Sequence, residues 1–77
     1  MENTNLSFSV VLRIEELEGK PVYTAECEEL GVSDFGDTPQ EAIAHLRNAI
    51  RLLISTEPEK ASALKTDQPD MVTRVLL

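Results

Sequence analysis

Nine residues, Asp34-Phe35-Gly36-Asp37-Thr38-Pro39-Gln40-Glu41-Ala42, constrain the fold of this chain more than any other stretch. They spell the end of a strand, a turn hinged on Gly36, and a helix start. Thr38 is placed to cap the first turn, and Glu41 three residues on completes a capping box. Pro39 suits the first helical position, where its missing N–H would have no partner anyway. Whatever else the chain does, it must pass there from extended to helical backbone.

The residues on either side fit that junction. From Leu6 to Ile14 the pattern alternates, with Leu6, Phe8, Val10, Leu12 and Ile14 on one side and Ser7, Ser9, Val11, Arg13 and Glu15 on the other. Strict period-two alternation predicts a strand with one buried face. Glu16 to Lys20 is polar, contains Gly19 and reads as a hairpin loop. Val22 to Cys27 is the return strand, with Pro21 at its start, where a missing donor does least harm. Glu28-Glu29-Leu30-Gly31 is a turn, and Val32 to Phe35 a short third strand. Three strands so close in sequence predict an antiparallel meander.

After the junction, Ala42, Ile43, Leu46, Ala49, Ile50, Leu53 and Ile54 recur at helical spacing. They predict a helix from Pro39 to about Ile54 with one apolar stripe, whose acceptor is the Leu6-to-Ile14 face of the sheet. Pro58 stops this helix, and Pro58 to Leu64 is compatible with a short second one. Lys65 to Asp70 reads as a loop. Met71 to Leu77 is β-prone, with an edge strand, a tail and a strand exchanged between subunits all open. The expected architecture is α+β: a three-stranded antiparallel meander, one long helix packed on one face, and a C-terminal edge strand (β-β-β-α-β), in a single domain over residues 1–77.

At 77 residues such a domain has a small core, and association is the natural extra source of stability. Acidic residues number 14 against 7 basic ones, a formal net charge of −7. That excess opposes phosphate backbones, so direct nucleic-acid binding is not expected, Arg47 and Arg51 on the helix notwithstanding. It suits a basic protein partner. No apolar run reaches the roughly 20 residues that span a bilayer, and Met1 to Asn5 carries no secretory pattern. With one cysteine and no disulfide, a cytoplasmic location is expected.

The sequence offers little chemistry. Cys27 and His45 are its only cysteine and histidine. They match no zinc template, and a nucleophilic pair would need them within hydrogen-bond reach. Cys27 shares a strand face with Tyr23 and Ala25, which predicts packing instead. The carboxylates cluster at turns and strand ends, and Phe8 to Leu12 has none, so no two-metal centre is expected. No catalytic residue, cofactor site or metal site is predicted.

Two segments together, Tyr23-Thr24-Ala25-Glu26-Cys27-Glu28-Glu29-Leu30-Gly31 and Gly36-Asp37-Thr38-Pro39-Gln40-Glu41-Ala42, resemble the HicB-like antitoxin family, and Leu46-Arg47-Asn48-Ala49-Ile50 resembles its helix continuation. Glu28 stands where proline is usual. The resemblance covers about Phe8 to Ile54 and implies a partial ribonuclease-H-like fold without its catalytic centre. It also implies a non-enzymatic protein, dimeric or tetrameric, that neutralises a small basic messenger-RNA-cleaving toxin. On this reading Glu26, Glu28, Glu29, Asp34 and Asp37 meet the toxin's RNA-binding face. Ser55 to Leu77 is too short for the family's promoter-binding segment, so promoter binding is not expected. The alternative is an orphan, self-associating HicB-like domain with a scaffold or small-ligand-binding role.

Overall fold

The computed structural model of the chain describes residues 6–66 and 74–76. Its elements are β1 (Leu6–Ser9), β2 (Val11–Leu17), β3 (Lys20–Cys27), β4 (Val32–Gly36), α1 (Pro39–Thr56), a 3-10 helix (Pro58–Ala63), β5 (Lys65–Thr66) and β6 (Arg74–Leu76). β2, β3 and β4 form the expected antiparallel meander, and with α1 they make an α+β fold. A second small sheet has the order β5-β1-β6, with both neighbours antiparallel to β1.

The first expected strand is therefore two. At Val10 the chain changes partners, from β5 and β6 on one side of the break to β3 on the other. The hairpin is also tighter than expected. Only Glu18 and Gly19 form the turn, with φ of 53° and 81°, the two positive angles of a type I′ turn, whose twist matches that of the strands. Glu16, Leu17, Lys20 and Pro21 thus belong to the ladder. Pro21 is tolerated because β4 reaches only as far as Tyr23, so among the described residues no strand lies where its N–H would point.

α1 begins as the sequence dictates. Thr38 Oγ1 accepts the Glu41 N–H at 3.0 Å, and the Glu41 carboxylate accepts the Asp37 N–H at 2.9 Å. The helix runs two residues past Ile54, and the Glu57 N–H closes it on the Leu53 carbonyl at 2.8 Å. Pro58 then opens the 3-10 helix, its fixed φ serving as a start. β5 places Lys65 and Thr66 in a strand rather than a loop, and Arg74–Leu76 forms the C-terminal strand. The remainder of the expected 65–70 loop and of the 71–77 strand lies outside the described residues.

The core joins Phe8, Val10, Ala25, Cys27, Ala42, Leu46, Ile50 and Leu64. α1 lies on β3 and β4, not on the whole Leu6-to-Ile14 face. Of that face, Phe8 and Val10 are buried, whereas Leu12 is 42% and Ile14 67% exposed. The reason is geometric. A helix about 10 Å wide covers roughly two strands spaced about 4.8 Å apart. α1 also starts just after Gly36, opposite Tyr23, so the hairpin beyond Ile14 projects past it. Leu46 and Ile50 are fully buried, while Ile43 and Leu53 are half-buried. Ser7, expected on the wet face, is buried in the second sheet.

Candidate functional site

The partner-binding carboxylates do not converge on one patch. Register puts Glu26 opposite Ser33 and Asp34 opposite Ala25, so Glu26 and Asp34 point to opposite faces of the sheet. Glu28 and Glu29 follow the end of β3, while Asp37 follows Gly36, opposite Tyr23. Four strand residues separate these ends, about 13 Å.

Most of these acids already hold local structure. Glu26 Oε1 accepts from Arg13 Nη1 at 2.6 Å across the hairpin, in a pair exposed enough to contribute little stability. Glu29 is half-buried, and its Oε1 accepts the Ser9 N–H at 2.9 Å, tying the second turn to β1. Asp34 Oδ1 accepts its neighbour's N–H, from Phe35, at 2.8 Å. Glu28 and Asp37 are the exposed members of the set.

Cys27 and His45 are engaged separately. His45 Nδ1 lies 2.7 Å from the Phe35 carbonyl oxygen. A carbonyl only accepts, so the proton sits on Nδ1. Phe35 is opposite Thr24, three residues along β3 from Cys27, or about 10 Å. The Cys27 thiol is fully buried in the core, with Sγ 3.9 Å from Glu29 Oε1. Burial pushes its pKa up and the Glu29 carboxylate adds to the shift, against the opposing Leu30 backbone hydrogen bond. A thiol so placed stays protonated and is a poor nucleophile at neutral pH.

The folded-state pKa of Cys27 is above the unfolded one. The stability it contributes is therefore complete below the ordinary thiol range and is lost as pH rises through the raised value. Iodoacetamide at pH 8 is expected to alkylate the native chain on the order of a hundredfold more slowly than the urea-unfolded chain. Equal rates would show that the thiol is not in the core.

Sequence reasoning missed an apolar groove of about 430 Å³ lined by Val32, Ala49, Leu52, Leu53 and Thr56. Leu52 was outside the expected stripe and is 66% exposed. The Thr56 hydroxyl is turned back onto the Leu52 and Leu53 carbonyls, leaving the groove little with which to orient a polar ligand. Among the described residues no group of three or more His, Cys, Asp or Glu side chains could hold a metal ion, and no helix is long and apolar enough to cross a membrane. Comparison of the chain with protein-family models, with curated proteins and with solved structures finds no match.

Proposed function

We propose that this chain is a non-enzymatic, self-associating protein of the HicB-like antitoxin type, which binds and neutralises a small basic messenger-RNA-cleaving toxin. The observation that carries the reading is the strand-to-helix junction. The residues of the family resemblance, Gly36 to Ala42, form a closely packed, doubly capped junction. The net charge of −7 supports it by favouring encounter with a basic surface. Of the five acids named for the partner, Glu28 and Asp37 are the exposed ones, at opposite ends of the β3–β4 ladder, and are placed to meet it.

Titration calorimetry against a short basic protein encoded beside this chain's gene tests the reading. A stable complex is expected, weakening as salt rises from about 0.05 to 0.5 M and weakening again in the double variant Glu28→Lys/Asp37→Lys. No binding at low salt, or binding indifferent to both changes, would overturn it. Cleavage of RNA by the purified chain with magnesium would overturn the non-enzymatic part. The second reading, a domain that self-associates without a toxin and serves as a scaffold or small-ligand binder, draws on the apolar groove beside Leu52.

A further inference from the structure

β2 carries three of the large apolar side chains that the fold leaves exposed: Leu12, Ile14 and Leu17. It is also the edge of its sheet, since among the described residues only β3 pairs with it. An exposed edge strand with apolar side chains is a template for another strand.

The tight turn settles which backbone groups face outward. A two-residue hairpin makes its flanking residues, here Leu17 and Lys20, a hydrogen-bonded pair. By alternation Leu17, Glu15, Arg13 and Val11 direct their N–H and C=O groups at β3. Leu12, Ile14 and Glu16 direct theirs at the open edge.

We propose that the occupant of this edge is β2 of a second copy of the chain, running antiparallel about a two-fold axis through Ile14. The inference rests on the reading that the chain associates with itself, and it names the surface. A two-fold axis normal to the sheet keeps each residue on its own face, so only registers centred on a residue are allowed. Centring on Arg13 sets Arg13 against its own copy, and centring on Glu15 or Glu16 does the same with carboxylates. Like charges directly opposite are unfavourable.

Centring on Ile14 sets Ile14 against Ile14, Arg13 against Glu15 of the other copy, Leu12 against Glu16, and Val11 against Leu17. Both Arg13–Glu15 pairs are complementary, and Arg13 keeps Glu26 as its neighbour on the same face. The result is a six-stranded sheet of order β4-β3-β2-β2-β3-β4. Each α1 lies on β3 and β4, away from the axis, so the helices do not collide. The contact is narrow, so a weak dimer is expected, dissociating somewhere between about 1 µM and 1 mM.

Sedimentation equilibrium of the full chain between about 1 µM and 1 mM spans that range. A dimer is expected. Arg13→Glu alone and Glu15→Arg alone each set like charges opposite and are expected to weaken it by roughly tenfold or more. An equimolar mixture of the two variants restores complementarity at both pairs, so a heterodimer should dominate in native mass spectrometry. Unchanged far-ultraviolet circular dichroism confirms that each variant folds; directly across from Glu15 is the uncharged Val22, with Lys20 on the diagonal. A monomer across the whole range would sink both self-association and this interface. A dimer that neither variant weakens, or weakened variants whose mixture is not rescued, would leave self-association standing and sink the β2 register.

Discussion

Phe8→Ala is expected to unfold this domain, or nearly so, whereas Ile14→Ala, measured at a dilution where the chain is monomeric, is expected to be close to neutral. Both residues belong to the same alternating run and would be equivalent in a strand buried along its whole length. In the structure Phe8 is fully buried, and Ile14 is 67% exposed. Truncating a buried phenylalanine costs about 3–5 kcal/mol, from lost transfer energy and from the cavity left behind. A domain of this length has a total stability of only about 4–12 kcal/mol. The melting temperature should fall by roughly 15 °C or more in Phe8→Ala, and an exposed truncation should stay within about 0.5 kcal/mol. Phe8 also sits in β1, between β5 and β6, so it fastens the second sheet to the core. Equal losses for the two variants in urea denaturation would refute the division of the strand at Val10.

Gly36→Val should also be damaging, for a reason that is not conformational freedom. A side chain begun at Gly36 would place its Cβ 2.7 Å from the Ala42 nitrogen, 2.7 Å from Glu41 Cβ and 2.9 Å from the Glu41 carbonyl carbon. Two of the three obstacles are backbone, so they cannot move without shifting the first turn of α1. Overpacking of this kind costs about 1–3 kcal/mol and occasionally more, and even Gly36→Ala carries most of it. Gly31 offers the contrast. It has φ of 70° but nothing within 4 Å of a built Cβ, so Gly31→Ala pays only the left-handed backbone penalty of about 1–2 kcal/mol. Chemical denaturation of the three variants checks the order: Gly36→Val worst, Gly31→Ala mildest. Gly31→Ala proving the more harmful would mean that the helix does not approach β4 as closely as described.

The candidate site was legible only as composition. An acidic excess and carboxylates at turns are visible in the sequence, and the structure leaves Glu28 and Asp37 exposed. That Glu29 would turn inward to the Ser9 N–H, and that Glu26 would hold Arg13, depended on partners 20 and 13 residues away. Spacing carries no record of such pairings. Cys27 was legible as packing, because its strand face was. The groove beside Leu52 was not, since it is formed between α1 and Val32 of β4, residues far apart in sequence, and not from any motif.

The amino-acid sequence by itself determined the meander and the long helix with its cap, because each depends on neighbours a few residues off: alternation, a glycine turn, Thr38, Pro39 and Glu41. Tertiary structure alone decided how far burial runs along the first strand, that the strand breaks at Val10 to serve two sheets, and that Ser7 goes inside while Leu12 and Ile14 stay out. Burial depends on what lies overhead, and that is set by where β4 stops and α1 begins. Two strands with the same pattern become core or edge according to whether a helix happens to stand over them.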